Sequence, residues 1–220
     1  MQPKKVAKFA NDMKSVITAD IVGSTKIPAE NRDRLPALIY ELADELQVVS
    51  PLKVEIFRGD SFQVLVQRPE EALRVAILFR AGLRKSRLLE KGSIDARMAV
   101  GIGEVSYDAE QLSLSDGQAF VFSGREFDEL KKRRLSVVTP NEEYNAELLV
   151  STSMIDDIVS HWSRSQSECV YLSLLTGEKQ DDLAKTLNTQ RQNVGKKLKA
   201  AKEQLCKLYL KRVANLISRL

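Results

Sequence analysis

Apolar and polar residues in the first 140 positions alternate between the two-residue period of a strand and the 3.6-residue period of a helix. Short runs rich in β-branched and aromatic residues predict five strands, over residues 15–21, 54–57, 62–66, 95–105 and 135–139. Apolar residues at helical spacing predict three helices, over residues 30–49, 70–85 and 118–132. This mixture of strands and helices predicts an α+β fold.

The order of these elements is βαββαβ followed by αβ. A βαββαβ core predicts a ferredoxin-like antiparallel sheet with helices on one face. Residues 58–61 form the predicted turn between the second and third strands, with Gly59 and Asp60 at its tip. In this topology the first strand lies beside the third strand and runs antiparallel to it. We therefore expect Asp20, at the end of the first strand, to meet Asp60 although the two are far apart in the sequence.

From residue 141 onward the pattern predicts helices only. The expected helices cover residues 142–160, 166–175, 180–187 and 190–210. Ser165 and Glu168 have the spacing of a capping box at the start of the second of these helices, and Gly177 is a natural stop after it. We expect the domain boundary near residues 141–160. This gives a first domain over residues 1–140 and an all-α domain over residues 141–220.

The composition is that of a globular chain. Its 220 residues are 43% hydrophobic and 29% charged, which is enough apolar material for a core. The longest unbroken apolar run, residues 75–79, is too short to cross a bilayer, so we expect no membrane-spanning segment and no membrane partner. Residues 1–13 carry lysines but lack the apolar stretch of a secretory signal. Cys169 and Cys206 have no zinc-binding or disulfide pattern, which favours a reducing cytoplasm.

Charge is distributed unevenly along the chain. Residues 180–220 hold ten basic and three acidic side chains, a net charge of +7. Residues 1–179 hold the other 24 basic and 27 acidic side chains, a net charge of −3. A slightly acidic body with a basic tail suggests two units with different partners, and a polyanion would meet the tail. The alternative is a solvated basic helix face.

Several short motifs occur in the order found in a known family. They are ADIVGST at residues 19–25, GDSFQ at 59–63, GIGEV at 101–105 and DGQA at 116–119, with Arg125 further on. Together they resemble the catalytic palm of class III nucleotide cyclases and, more closely, the SatD-like family of bacterial proteins. Ala19 stands where that family has glycine. The resemblance covers most of residues 15–205 and implies a cyclase-like palm followed by a helix-turn-helix domain and, as in related palms, a homodimer.

The same resemblance implies a metal and nucleotide site. Asp20 and Asp60 match the metal-holding positions, and paired carboxylates suit Mg²⁺ or Mn²⁺ bound against phosphates. The expected nucleotide-binding residues are Ile21, Gly23, Ser24, Gly59 and Asp116, and Arg125 matches a catalytic arginine. In the alternative interpretation Asp20 caps a loop and Asp60 supplies only turn chemistry.

Three positions depart from the cyclase pattern. Val121 stands in place of the transition-state asparagine, and Ile56 and Leu114 replace the base-selecting lysine and aspartate. Loss of one preorganised charge-stabilising donor costs about 10²–10³ in rate. We therefore expect no efficient cyclisation of ATP or GTP. Nucleotide binding without turnover and a different phosphoryl chemistry both stay open.

Residues 180–198 resemble a helix-turn-helix of the kind found in sigma-factor region four. Ala184 is small enough for a close helix crossing, Asn188 suits the turn, and Thr189 is the expected N-cap of the second helix. The packed side consists of Leu183, Leu187, Val194 and Leu198. The side chains expected to read base edges are Gln190, Arg191, Gln192 and Asn193, and those expected on phosphates are Lys196, Lys197 and Lys199. The alternative is a helical hairpin packed on the palm or on another protomer.

Three functions follow from these features. The first is a cytoplasmic DNA-binding regulator whose cyclase-like domain senses a nucleotide or is vestigial. The second is an enzyme, a divergent metal-dependent nucleotidyl cyclase or phosphotransferase. The third is a dimerisation or interaction module in which both sites are vestigial. The sequence names neither the nucleotide nor the DNA site.

Overall fold

A computed structural model of the protein describes residues 13–57 and 59–220. The interpretation of residues 1–13 as lacking a secretory signal falls, except for Met13, outside these residues. The strands are β1 (Met13–Val22), β2 (Leu52–Ile56), β3 (Ser61–Val66), β4 (Asp95–Tyr107), β5 (Asp116–Gly117) and β6 (Leu135–Val138). The helices up to residue 140 are α1 (Ala29–Arg32), α2 (Arg34–Glu45), α3 (Ala72–Lys85) and α4 (Gln118–Glu129). Those that follow are α5 (Glu142–Ser160), α6 (Arg164–Thr176), α7 (Gln180–Thr186), α8 (Arg191–Ala200) and α9 (Glu203–Ile217).

The sheet has the strand order β2-β3-β1-β4-β5, and β6 pairs with β4 in parallel. β1 runs antiparallel to both β3 and β4, with Asp20 opposite Ser61 on one side and Arg97 on the other. The predicted α+β class and the predicted neighbourhood of the first and third strands are therefore confirmed. The hairpin between β2 and β3 brings its tip to the end of β1.

Helices cover both faces of the sheet, whereas the sequence predicts helices on one face only. Ile17 of β1 packs in the core beneath α3, and the next-door Val16 packs with Ala119 of α4, so α3 and α4 lie on opposite faces. α4 approaches β4 closely because Gly101 has no side chain. A Cβ at Gly101 would lie 2.3 Å from the carbonyl oxygen of Ala119.

The C-terminal helices pack on the helix layer of the sheet. α3 is buried along nearly its whole length between the sheet and α6. One continuous core includes residues of β1, α3 and the helices from α5 to α9, among them Ile17, Phe79, Val159 and Val213. The same core holds residues from before and after residue 140. The expected division into domains at residues 1–140 and 141–220 stays a prediction.

A buried network of charges joins the two segments. Arg80 of α3 is fully buried and donates hydrogen bonds to Asp95 at 2.8 and 2.9 Å and to Asp156 of α5 at 2.7 Å. Arg84 donates to Asp95 at 3.0 Å and also to the backbone carbonyl of Trp162. Burial of these charges carries a desolvation cost, and the hydrogen-bonded partners of opposite sign offset it, so the network ties α3, β4 and α5 together.

Two predicted helix boundaries are wrong. The capping box of α6 is formed by Ser163 and Gln166, not by Ser165 and Glu168, because the backbone is extended at Ser163 and the helix begins directly after it. The predicted helix over residues 190–210 is broken between α8 and α9 at Lys202, which has φ +55°. The Trp162 indole nitrogen donates to the Ala201 carbonyl at 2.8 Å, so this carbonyl is not free to continue the helix. Gly177 ends α6 in the left-handed conformation, as predicted.

Candidate functional site

Asp20 and Asp60 lie at the same end of the sheet. The backbone amide of Ile21 donates to the carbonyl of Asp60 at 3.0 Å, which fixes the hairpin tip against the end of β1. Gly23 turns the chain with φ +73°, and the Ser24 hydroxyl then donates to Oδ2 of Asp60 at 2.7 Å. The structure thus brings together Asp20, Ile21, Gly23, Ser24, Gly59 and Asp60.

The Asp20 carboxylate is already engaged by two donors. The Ser61 hydroxyl donates to Oδ1 at 3.1 Å, and Arg97 Nη2 donates to Oδ2 at 3.2 Å. The Arg97 guanidinium also lies 5.2 Å above the ring of Phe127 on α4, which holds it in place. The sequence pattern gives Arg97 no role, because its partners come from β1 and α4.

A cleft of about 390 Å³ opens beside Asp60. Its polar lining consists of Ser24, Thr25, Arg32, Asp33, Gly59 and Asp60. Hydroxyls, one guanidinium and carboxylates could contact a phosphorylated ligand, and Gly59, at φ +69°, leaves the backbone open to it. Asp20 is not part of this lining.

The residues fit a divalent ion only in part. Carboxylate oxygens are the ligands that Mg²⁺ and Mn²⁺ prefer, and a magnesium site needs only one or two carboxylates beside the substrate phosphates. Across residues 13–57 and 59–220, no group of three or more His, Cys, Asp or Glu side chains is placed to hold a metal. An ion bridging Asp20 and Asp60 would also compete with Arg97 for Oδ2 of Asp20.

Two predicted site residues lie apart from this cluster. Asp116 pairs with Tyr107, ten residues along β4 from Arg97, a span of about 33 Å in an extended strand. Its carboxylate accepts a hydrogen bond from the amide of Gly117 at 2.7 Å. Arg125 is exposed on α4 and does not join the Asp20 cluster.

The three departures from the cyclase pattern leave apolar groups at those positions. Val121 and Leu114 are exposed, at 41% and 65% of their surface, and Ile56 is half-buried at the end of β2. An aliphatic side chain can neither donate nor accept a hydrogen bond. The absence of efficient cyclisation stays a prediction that rests on these three side chains.

The second candidate site is formed by α7, α8 and the turn between them. Asn188 has φ +46°, as its place in the turn predicts. Leu183, Val194 and Leu198 are buried, and Leu187 is half-buried. The N-cap of α8 is Gln190 rather than the predicted Thr189. The Thr189 hydroxyl accepts from the side-chain amide of Asn193 at 3.3 Å, and its backbone amide donates to the carbonyl of Ala184.

The polar face of α8 points away from the core. Its exposed members are Gln190, Arg191, Gln192, Asn193, Lys196 and Lys199, and Lys197 is half-buried. Arg191 Nε lies 3.5 Å from Oδ1 of Asp181, a surface contact of little energy. Packing of this face on the palm, the alternative drawn from the sequence, is not what the structure shows.

Trp162 connects α8 to the buried charge network. Its carbonyl accepts from Arg84, and its indole nitrogen bonds to Ala201 directly after α8. The sequence gives no signal for this contact, because Trp162 and Ala201 are 39 residues apart. Among the described residues, no helix has the length and hydropathy needed to span a bilayer.

Comparisons with known proteins yield neighbours among solved structures only. No family model matches the chain, and no curated protein matches it. One neighbour is the guanylyl cyclase domain of the RhoGC fusion protein from the aquatic fungus Blastocladiella emersonii, with 17% identity and a TM-score of 0.44 over 53% of this chain and 74% of that one. Another is a bacterial light-regulated adenylyl cyclase, with 14% identity and a TM-score of 0.41 over 58% and 76% of the two chains.

A third neighbour is the active GGEEF domain of a diguanylate cyclase from Vibrio cholerae, with 15% identity and a TM-score of 0.39 over 59% and 84% of the two chains. These neighbours are nucleotide cyclase domains of low identity to this chain. Membership of the SatD-like family and the helix-turn-helix assignment stay predictions.

Proposed function

We propose that this protein binds DNA through α8. The observation that supports the proposal is the division of α8 into a buried side, with Val194 and Leu198, and an exposed polar side that begins at Gln190. A helix that docks in the major groove needs such a free face with hydrogen-bonding side chains near its N-terminus. The net charge of +7 over residues 180–220 would attract the phosphate backbone.

The side chains of α8 divide into two chemical roles. Glutamine and asparagine can form two hydrogen bonds with adenine, and arginine can form two with guanine. We therefore propose that Arg191, Gln192 and Asn193 contact the base edges. Lys196 and Lys199 lie one and two turns further on, where their ammonium groups would contact phosphates without reading sequence.

The test is selection of bound duplexes from a random-sequence pool, followed by binding titrations on the enriched site. Arg191→Ala or Gln192→Ala should cost about 1–3 kcal/mol at that site and relax the sequence preference. The matched control is Gln204→Ala, a change at an exposed glutamine of α9 that should leave binding unchanged. Enrichment of no sequence, together with equal binding by all variants, would refute base reading by α8.

A second candidate function is metal-dependent nucleotide binding at the end of β1, with a divergent nucleotidyl cyclase or phosphotransferase as its enzymatic form. The observation that favours it is the cleft beside Asp60, which is lined by two hydroxyls, the guanidinium of Arg32 and the carboxylates of Asp33 and Asp60. Bound Mg²⁺ or Mn²⁺ would neutralise phosphate charge there. Because Ile56 and Leu114 stand at the base-selecting positions, we propose nucleoside triphosphates as a class and not one base.

Thermal unfolding of the full chain with nucleoside triphosphates, with and without Mn²⁺, tests this second function. Stabilisation that requires Mn²⁺ and disappears in Asp60→Ala would support it. Asp44→Ala, at an exposed carboxylate of α2, is the control and should behave as the wild type. Stabilisation that is unchanged in Asp60→Ala would mean that Asp60 serves only the hairpin turn and does not bind the metal–nucleotide complex. Product analysis of the same samples should detect no efficient formation of cyclic nucleotide.

A further inference from the structure

The outer faces of α5 and α9 carry exposed apolar side chains. We call these four residues the α5–α9 ridge: Val150, Met154, Leu205 and Leu208, exposed over 57%, 64%, 50% and 63% of their surface. Of the eleven large apolar side chains that are exposed among the described residues, five lie on these two helices. Single exposed apolar residues are ordinary, but a cluster on neighbouring helices marks an interaction surface.

Two side-chain contacts fix the register of the two helices. The hydroxyls of Thr152 and Tyr209 lie 2.8 Å apart, and Arg212 donates to Glu147 at 2.8 and 2.9 Å. As the number rises along α5 it falls along α9, so the helices are antiparallel. This register places Val150 level with Leu208 and Met154 level with Leu205. The two levels are about 5–6 Å apart, which is one helical turn, so the four side chains lie at two successive levels of the helix pair.

Charge is segregated between the same two helices. The exposed charged residues of α5 are all acidic, namely Glu142, Glu143, Glu147 and Asp157, and its fifth acid, Asp156, is buried against Arg80. α9 carries Lys207, Lys211 and Arg212, and its one acid, Glu203, is buried against Lys207. An acidic helix therefore lies beside a basic helix, with the apolar ridge along both. The charges of such a surface are complementary to those of a second copy rotated by 180°.

We propose that the α5–α9 ridge is the interface between two copies of this chain in solution. A two-fold axis parallel to the helices sets α5 of each copy against α9 of the other, so acidic meets basic twice. This rotation leaves the position of each residue along the helix axis unchanged. Met154 of one copy therefore faces Leu205 of the second copy. The proposal is independent of DNA binding, because it uses none of the polar face of α8.

Sedimentation equilibrium of the full chain over a dilution series tests the interface. The wild type should reach a dimer. Met154→Lys places a cation against the basic α9 of the second copy, and Leu205→Glu places an anion against its acidic α5, so each variant alone should be monomeric. Both positions are exposed, so folding is not at risk, and Val48→Lys, at an apolar residue exposed over 73% of its surface elsewhere, should dimerise as the wild type does.

A mixture of the Met154→Lys and Leu205→Glu variants is the decisive arm. The ammonium group introduced at position 154 of one chain would then face the carboxylate introduced at position 205 of the other. The mixture should therefore regain a heterodimer, weakened by added salt. A wild type that stays monomeric, a dimer that survives both substitutions, or a mixture that stays monomeric would each overturn the proposed pairing.

Discussion

Arg97 Nη2 lies 3.2 Å from Oδ2 of Asp20, and the two residues are direct cross-strand partners in β4 and β1. The guanidinium therefore supplies a positive charge where a divalent ion would approach this carboxylate. Its position over the ring of Phe127 keeps the arginine in place. By contrast, the donor on Oδ2 of Asp60 is the neutral hydroxyl of Ser24. The two carboxylates are thus unequal as metal ligands.

Removing the Arg97 charge should strengthen metal binding. We expect Arg97→Met to raise the affinity for Mn²⁺ at least about tenfold, since a unit charge about 4 Å away is worth several kcal/mol at an effective dielectric constant near 20. Calorimetric titration of Mn²⁺ into the full chain measures this, and Arg87→Met, at an exposed arginine, is the control. Equal affinity in Arg97→Met and the wild type would mean that Asp20 takes no part in metal binding.

The buried network predicts how stability depends on pH. Burial alone would raise the pKa of Asp95, but the charges and hydrogen bonds of Arg80, Arg84 and Arg134 outweigh it and hold that pKa below its usual value. A lowered pKa stabilises the fold above the pKa of unfolded aspartate, about 4, and this contribution is lost as the pH falls through the folded value. The free energy of unfolding should therefore decrease as the pH is lowered below about 4.

Urea unfolding at a series of pH values checks this dependence. Asp95→Asn should lower the free energy of unfolding near pH 7 by about 3–5 kcal/mol, because it leaves Arg80 buried with less negative charge around it. The variant should also lose less stability below about pH 4 than the wild type does. An unfolding free energy and acid slope equal to those of the wild type would show that the network is not coupled to Asp95.

Two glycines near α4 should respond to alanine with opposite signs. In Gly101→Ala the new Cβ would lie 2.3 Å from the Ala119 carbonyl oxygen and 2.4 Å from the Ser123 amide nitrogen, so α4 must shift. We expect the free energy of unfolding to fall by about 1–3 kcal/mol. In Gly124→Ala, inside α4, the new Cβ would meet nothing within 4 Å. This substitution should raise the free energy of unfolding by about 0.5–1 kcal/mol, because alanine favours the helix over glycine. Thermal unfolding of both variants is the measurement, and a stabilised Gly101→Ala would contradict the close approach of α4.

The fold of the chain up to residue 140 follows closely from periodicity. Strand and helix periods differ strongly there, and the hairpin tip at Gly59 is marked by turn residues. Strand order then places Asp20 beside the hairpin, and the bond between Ile21 and Asp60 confirms that neighbourhood. Periodicity does not predict the coverage of the second face by α4, since this depends on how closely Gly101 lets a helix approach.

The remaining features depend on contacts between residues distant in sequence. Arg80 interrupts an apolar helix face and has its partners 15 and 76 residues away, so its burial leaves no local trace. The break at Lys202 has no glycine or proline to mark it, and the hydrogen bond beside it comes from Trp162, 39 residues away in the sequence. Arg97 likewise acquires its contacts only when β1 and α4 are folded together.

The salt dependence of DNA binding tests the central claim most directly. The logarithm of the affinity for duplex DNA should fall linearly with the logarithm of salt concentration, by about 0.9 per phosphate contact. Lys196→Ala and Lys199→Ala should each weaken binding to every sequence and reduce that slope by about 0.9, while Lys132→Ala, at an exposed lysine before β6, should change neither. Fluorescence anisotropy at several salt concentrations measures both quantities. Binding that is absent, or that is equal in the wild type and the two α8 variants, would contradict DNA recognition through α8.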